Sequence, residues 1–173
     1  MNAEQATFLV EFFGNMLEME AKTTARVLAA VPDNTRDYKP DEKSRSAWEL
    51  ATHIATGDVW FLDSIIQGKF NFDPAVEQQQ TAKFKNVNDV VEYYNREYPI
   101  RLKTLRALPA EKLTQTVDFF GMFQWPNASY LGFANNHSIH HRGQLAAYLR
   151  AMGSKVPSIY GGSADEPMTA AAH

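Results

Sequence analysis

Asn136-His137-Ser138-Ile139-His140-His141-Arg142-Gly143-Gln144-Leu145 decides how this chain is organised, because it holds three of the five histidines among 173 residues. In a helix, residues four apart lie about 40° apart around the axis and one turn apart along it. His137 and His141 therefore share one face and can bind one metal ion together. A zinc-protease helix would carry HExxH, and the serine at position 138 excludes that class.

The histidine-rich stretch falls in the last of four predicted amphipathic helices. Apolar residues at three- and four-residue spacing predict the first helix over residues 3–31. Ser46 and Glu49 form a capping box, in which each side chain bonds to the backbone N–H of the other. This box predicts a second helix over residues 47–67, with Gly68 as its stop.

The third and fourth predicted helices follow in the second half of the chain. The stretch Asn86-Val87-Asn88-Asp89 offers N-caps for the third helix, and Pro99 should kink or split it. The fourth helix begins after Asn127 or Ser129 and ends at Gly153.

The remaining segments read as connections rather than as regular structure. Residues 68–85 are predicted to form a long loop, and residues 108–126 an irregular crossover. Residues 114–120 have a strand-like composition, but the chain offers them no obvious partner strand. The pattern predicts an all-α fold, a four-helix bundle with a long crossover connection. We expect a single domain over residues 1–173, with a flexible tail at 163–173.

Composition excludes several functional classes. The chain is 45% apolar and 21% charged, which is ordinary for a globular domain. A net charge of −3 without a Lys/Arg block gives no electrostatic basis for binding nucleic acid. Because the chain has no cysteine, it has no disulfide, thiolate ligand or thiol nucleophile of its own. An acidic N-terminal segment and the lack of a long apolar run indicate no signal peptide and no membrane span, so we expect a cytoplasmic protein.

A third candidate ligand comes from the second helix. His53 lies in the middle of its apolar stripe, and Gly57 one turn later leaves room beside it. A lone core histidine is more often hydrogen-bonded than metal-bound, and that alternative stays open. Bundles, however, build metal sites from inward side chains on facing helices, which favours joining His53 to His137 and His141. His140 lies about 100° from His141 around the helix and should point away from the site.

Several other residues are candidates for supporting roles. Glu20 falls on the apolar stripe of the first helix. It could be a pocket acid or a hydrogen-bond partner of the metal ligands. We favour a third interpretation, in which it lies at the edge of the stripe and is exposed to solvent. Arg142 and Gln144 adjoin the histidines, and we interpret Arg142 as part of a solvated face or of a dimer contact. Four aromatic residues are candidates for the pocket walls and are equally consistent with plain core packing: Trp48, Trp60, Tyr130 and Tyr148.

Three motifs resemble the DinB-like superfamily. They are Trp48-Glu49-Leu50-Ala51-Thr52-His53-Ile54, the histidine-rich stretch itself, and an ending with Tyr148-Leu149-Arg150, Gly153, Pro157 and Tyr160-Gly161. The resemblance covers most of the chain and implies a DinB/YfiT-like bundle. It also implies a divalent metal ion, zinc or nickel in many relatives, whose ligands would be His53, His137 and His141.

The resemblance further implies a chemistry. Some relatives transfer low-molecular-weight thiols such as bacillithiol, mycothiol or glutathione to electrophiles, many have no assigned reaction, and members are often homodimers. We therefore expect a metal-dependent thiol S-transferase acting on a small-molecule substrate. No catalytic side chain is expected beyond the metal ligands, because a dication would deprotonate an incoming thiol.

Hydrolysis by metal-activated water is the second hypothesis, with Glu20 or Glu49 as its acid or base. A non-enzymatic metal-binding stress or interaction protein is the third.

Overall fold

The computed structural model describes residues 1–168. Within them the helices are α1 (Ala3–Ala29), α2 (Ala47–Gln67), α3 (Pro74–Thr81), α4 (Val87–Arg106), α5 (Ala110–Thr114) and α6 (Tyr130–Ala151). The strands are β1 (Thr116–Phe119) and β2 (Phe123–Pro126), and single 3-10 turns occupy Asp33–Thr35 and Asn127–Ser129.

The four long helices form the bundle. Helices α1 and α2 each pack against both α4 and α6, so α1 and α2 lie on one diagonal of the bundle and α4 and α6 on the other. Side chains from all four helices fill the centre, including Leu17, Ile54, Tyr94 and Leu145. The prediction of an all-α four-helix bundle is confirmed, and α2 packs directly against α6, as a site shared by their histidines requires.

Local signals at the helix ends explain where α2 begins and ends. Ser46 Oγ accepts a hydrogen bond from the Glu49 N–H at 3.0 Å, and Glu49 Oε2 accepts one from the Ser46 N–H at 2.6 Å. Gly68 closes the helix with φ at +71°, a left-handed conformation that glycine adopts without a steric penalty. Both predicted bounds of this helix are therefore confirmed.

Two connections contain more structure than the sequence predicted. The long loop predicted over 68–85 is wrong, because α3 forms there, with the Asp73 carboxylate capping the helix and Pro74 as its first residue. The irregular crossover predicted over 108–126 is also wrong in part. Strand β1 pairs antiparallel with β2, so the strand-like segment does have a partner, three residues beyond its end.

Helix α4 continues through Pro99 without being split. Proline removes one backbone hydrogen bond, but Tyr98 and Leu102 are buried on either side of it and hold the helix against the core. At α6 no side-chain cap is made: Asn127 and Ser129, the two predicted caps, instead form the 3-10 turn that leads into the helix.

The segment after α6 folds back along the bundle. Ser154 Oγ donates to the Ala30 carbonyl at 2.6 Å, and the Tyr160 hydroxyl donates to Glu20 Oε2 at 2.9 Å. The flexible tail expected at 163–173 stays a prediction, and residues 169–173 of it lie outside the described residues. Among residues 1–168, no helix is both long enough and apolar enough to cross a membrane.

Candidate metal centre

The structure brings the three predicted histidines together between α2 and α6. Nε2 of His137 lies 3.2 Å from Nε2 of His53, and the His141 ring lies 4.7 Å and 4.6 Å from the rings of His53 and His137, centroid to centroid. One nitrogen from each residue falls within 4.8 Å of the other two, so the cluster can hold a metal ion. The exposed His140 is outside it, as its position on the helix predicts.

The spacing of the nitrogens fits a shared ion. Ligand nitrogens lie ~2.0–2.1 Å from zinc, so two of them in a tetrahedral site are about 3.3 Å apart. The 3.2 Å between the Nε2 atoms of His53 and His137 is close to that separation.

Each imidazole turns its other nitrogen, Nδ1, toward an oxygen. Nδ1 of His137 lies 3.3 Å from Asp58 Oδ1, and Nδ1 of His141 lies 2.8 Å from Gln144 Oε1. Nδ1 of His53 faces Glu77 Oε1 at 3.8 Å, beyond hydrogen-bond distance. Histidines that bind metals usually donate their second N–H to such acceptors, which fixes the tautomer.

This arrangement has an electrostatic consequence. If the protons sit on Nδ1, where the oxygens are, the Nε2 atoms point lone pairs at one another. Converging lone pairs repel unless a cation or a proton lies between them. The carboxylates of Asp58 and Glu77 outnumber the nearby guanidinium of Arg45, so the local charge also favours a cation.

The histidines are prepared for binding by their protonation state. Burial lowers the pKa of His53 from 6.5 to about 3, with smaller contributions from the charges of Arg45, His137 and His141. Burial also lowers the pKa of His141, partly opposed by the hydrogen bond that its Nδ1 donates to Gln144 Oε1. Both rings are thus neutral near pH 7, and neutral imidazole is the form that binds metals.

Gly57 allows α2 to approach the His137 ring. A Cβ at position 57 would lie 3.0 Å from His137 Cε1 and 3.9 Å from His53 Cε1. The first of these distances is too short for an ordinary carbon contact. The sequence predicted that Gly57 leaves room beside His53, but the ring that lies closest to Gly57 is that of His137.

Asp58 is a site residue that sequence reasoning missed. It is 3% exposed, and besides facing His137 it accepts hydrogen bonds from Ser138 Oγ at 2.7 Å and the Tyr94 hydroxyl at 3.2 Å. A signal was available, because Asp58 lies four residues after Ile54 on the buried face of α2. A carboxylate at such a position requires partners from other helices.

A pocket of about 800 Å³ opens beside the histidines, all three of which line it. Of the four predicted wall residues only Trp60 lines it. Trp48 lies under the Arg36 guanidinium, Tyr130 is buried with its hydroxyl donating to the Val117 carbonyl, and Tyr148 packs on Tyr38. These three side chains pack against other residues, because they lie on helix faces that turn away from the pocket.

Glu77 is the second residue that the sequence did not indicate. It lies on α3, in a segment predicted to be a loop, and it lines the pocket next to His53. The two acids considered from sequence lie elsewhere. Glu49 stays in the capping box, and Glu20 pairs with Arg142.

The interpretation of Arg142 as a solvated or dimer-contact residue is wrong. Arg142 is 1% exposed, and its Nη1 lies 2.5 Å from Glu20 Oε2. Its guanidinium also donates to the Tyr160 hydroxyl at 2.6 Å and to Thr24 Oγ1 at 3.2 Å. Glu20, expected in solvent, is instead the mostly buried counter-charge that allows an arginine in the core.

Two Bacillus subtilis proteins of strain 168 are similar in sequence. YjoA is 32% identical over 118 residues, which make up 67% of this chain and 73% of YjoA. YrdA is 26% identical over 157 residues, 91% of each chain. Both are described as uncharacterized proteins.

Solved structures agree with these relationships. The crystal structure of the DinB-like protein YjoA aligns with 86% of this chain and 96% of its own, at 28% identity and a TM-score of 0.67. A DinB-like protein of Bacillus cereus ATCC 10987 shares the fold, with a TM-score of 0.70 at 24% identity over 87% of this chain and 97% of its own. The DinB family model matches residues 5–170. This chain therefore belongs to the DinB family.

Proposed function

We propose that the protein is a metal-dependent S-transferase that joins a low-molecular-weight thiol to a small electrophile. One observation carries the proposal: the imidazoles of three histidines converge at the wall of a pocket of about 800 Å³, while each Nδ1 faces an oxygen. His53, His137 and His141 would hold the ion, zinc or nickel. Three protein ligands leave coordination positions open, as in reactive rather than structural sites.

The chemistry divides between the ion and the pocket. A divalent ion held by three neutral ligands lowers the pKa of a thiol or a water molecule that reaches its open side. In transfer, the thiol sulfur attacks the electrophilic carbon, a C–S bond forms, and the bond to the leaving group breaks. The leaving group departs with the electron pair, and the thiol proton passes to water. The chain contributes binding, orientation and exclusion of water, and no side chain serves as nucleophile.

The first experiment measures metal content by mass spectrometry. The proteins are wild type and the variants His53→Ala, His137→Ala and His141→Ala, with His140→Ala as matched control because His140 lies next to the cluster but outside it. We expect about one ion per chain in wild type and in the control, and loss in the three cluster variants. Metal bound equally well by the His137→Ala and His141→Ala variants would contradict the site.

The second experiment asks whether the site transfers thiols. Glutathione, bacillithiol and mycothiol are each supplied with 1-chloro-2,4-dinitrobenzene, from which chloride departs as the leaving group. We expect turnover that requires one of these thiols and is lost in His141→Ala. Stoichiometric metal without thiol-dependent turnover would favour one of the two remaining hypotheses, hydrolysis or a non-enzymatic metal-binding role.

Hydrolysis is the second candidate, and the position of Glu77 favours it. Its carboxylate lines the pocket next to His53 and can accept a proton from attacking water, a role that neither Glu20 nor Glu49 can fill from its place in the structure. Thiol-free turnover of esters or amides that falls sharply in Glu77→Gln would establish this alternative. Turnover that needs a thiol and survives Glu77→Gln would exclude it.

We also propose that the protein acts as a homodimer. Phe12 of α1 is 49% exposed, and its ring stacks on the exposed ring of Phe8. Met19 extends this apolar face two turns further along the helix. Sedimentation velocity of wild type and of Phe8→Glu/Phe12→Glu tests the proposal, with a dimer expected for wild type and a monomer for the double variant.

A further inference from the structure

The pocket beside the histidines is larger and more aromatic than an ion and its waters require. Its volume of about 800 Å³ falls within the range of small-molecule sites, roughly 300–1,000 Å³. Six aromatic side chains line it: Trp60, Phe61, Phe72, Tyr93, Phe119 and Phe133. This composition favours an organic ligand with a substantial apolar part.

Trp60 belongs to this aromatic wall and is held in a fixed orientation. Its indole Nε1–H donates to the Asn71 carbonyl at 2.9 Å. Phe72 meets the indole edge-on, with 5.9 Å between centroids and 89° between planes. Phe120 lies parallel to the indole within 13°, at 6.3 Å. Flat rings stack best in such offset-parallel and perpendicular surroundings.

Phe120 occupies a backbone position that rarely accepts a phenylalanine. It has φ of +54°, the next residue Gly121 has φ of +72°, and the Met122 N–H donates to the Phe119 carbonyl at 3.0 Å. These features define a type I′ turn, whose central positions favour Asn, Asp and Gly. Bulky residues held in the left-handed region cluster at ligand clamps and other functional sites.

The two aromatic side chains that flank Trp60, Phe72 and Phe120, are also partly exposed to solvent. Phe72, which lines the pocket, is 44% exposed, and Phe120, which lies outside the lining but stacks parallel to Trp60, is 47% exposed. A ligand lying on Trp60 would cover apolar surface on both of them, which stabilises the complex in proportion to the area removed from water.

The charges around the pocket disfavour an anionic ligand. Its lining includes the acids Asp63, Asp73 and Glu77 but a single described cation, Arg45. Arg101 neutralises Asp63 from outside the lining, which leaves two acids against one guanidinium. Protein groups therefore offer an anionic ligand no net attraction.

We propose that this pocket binds a flat, neutral aromatic ring on the face of Trp60, with Phe72 and Phe120 covering it. The ring belongs to the organic substrate that reacts beside the three histidines; this last clause rests on the proposed function, whereas binding of the ring does not. Naphthalene-sized compounds are the matching class, because two fused rings span the indole and reach both phenylalanines.

The test compares two ligands of one skeleton on protein from which metal has been removed. 2-Naphthol is flat and aromatic, and decahydro-2-naphthol carries the same hydroxyl on saturated rings. Titration calorimetry gives the affinities, and the indole N–H resonance of Trp60 reports the location, with that of Trp48 as an internal reference. We expect tighter binding of 2-naphthol and a shift of the Trp60 resonance alone. Equal affinities, or binding that leaves the Trp60 resonance unchanged, would overturn the proposal.

A pair of variants isolates the contribution of the turn. Phe120→Gly removes the ring and suits the left-handed backbone, so the hairpin should be retained. Met122→Ala removes another exposed apolar side chain from the same turn, with Met122 66% exposed and Phe120 47% exposed. We expect Phe120→Gly to weaken 2-naphthol binding by about two- to tenfold, the equivalent of one aromatic pair, and Met122→Ala to leave it unchanged. Equal effects of the two variants would refute the proposed contact between Phe120 and the bound ring. Since none of these measurements needs metal or turnover, their failure would not bear on the histidine site.

Discussion

Nδ1 of His137 lies 3.3 Å from Oδ1 of Asp58, while Nε2 on the other side of the same ring lies 3.2 Å from Nε2 of His53. One imidazole thus joins a buried carboxylate to the histidine cluster. Ser138, the next residue in α6, donates to the second oxygen of that carboxylate at 2.7 Å. Two consecutive residues of α6 therefore hold Asp58, and Asp58 in turn fixes the orientation of the His137 ring.

The first prediction concerns this carboxylate. Asp58→Asn keeps the shape of the side chain but removes the charge that orients the Nδ1–H of His137. We expect zinc affinity, measured by chelator competition, to fall roughly 10- to 100-fold, as is usual when a partner of a ligating histidine is lost. Asp63→Asn is the matched control, because Asp63 lies on the same helix but pairs with Arg101. Equal affinities of Asp58→Asn and wild type would show that Asp58 does not support the site.

The second prediction separates metal binding from folding at Gly57. In Gly57→Ala the new Cβ would press on His137 Cε1, so the ring must move away from the cluster. Alanine is also favoured over glycine inside a helix by roughly 1 kcal/mol. We expect zinc affinity to fall while the free energy of unfolding of the metal-free protein falls little or even rises.

Gly143→Ala provides the comparison for that variant. Position 143 is also helical, but nothing lies within 4 Å of a Cβ placed there. We expect this variant to gain up to about 1 kcal/mol of stability with unchanged zinc affinity. Tight zinc binding by Gly57→Ala would mean that His137 tolerates the added methyl group.

The third prediction is a pH dependence of the metal-free protein. The pKa of His53 is about 3 in the folded state, against 6.5 as its ordinary value, so below pH 6.5 the unfolded chain binds the proton more readily. The contribution of His53 to the free energy of unfolding is therefore fully present above pH 6.5 and is lost as the pH drops toward 3. Between about pH 7.5 and 5, urea denaturation should show a loss of up to about 2 kcal/mol from this residue.

Replacement of His53 tests the origin of that loss. His53→Asn should reduce the change in unfolding free energy between the two pH values, whereas His140→Asn, at an exposed position, should not. An unchanged pH dependence in His53→Asn would assign the effect to other groups.

The fourth prediction concerns the buried ion pair. Glu20→Gln leaves the guanidinium of Arg142 in the core without its counter-charge, and we expect a loss of about 3–5 kcal/mol in the free energy of unfolding. Arg150→Met breaks the more exposed pair with Asp165 and should cost no more than about 1 kcal/mol. Similar losses in the two variants would show that burial adds nothing to the first pair.

The bundle and the histidine cluster were predictable because both follow from local pattern. Apolar spacing marks the faces of the helices, capping boxes such as that of Ser46 mark their starts, and the histidines lie on faces that turn inward. Helix α3 escaped detection because none of its residues is buried, so it has no apolar stripe, although Asp73-Pro74 marks its start.

The charged residues of the core were missed for a different reason. Asp58 is held by Tyr94, His137 and Ser138, and Arg142 by Glu20, and all these partners come from other helices. The partners of these side chains lie more than thirty residues away, so no local pattern identifies them, and a charged side chain considered without its partners is expected in solvent. For the same reason the sequence placed Arg142 and Glu20 on the surface.

His53 and His137 are separated by 84 positions in the chain and come from helices that no short turn connects. An ion held by both would act as a cross-link in a chain without cysteine, closing a long loop as a disulfide does. Ligands that bind only the folded state add stability with the logarithm of their concentration, about 4 kcal/mol at a thousandfold excess over the dissociation constant. Supply of the ion would then govern how long each molecule survives proteolysis, independently of any reaction in the pocket.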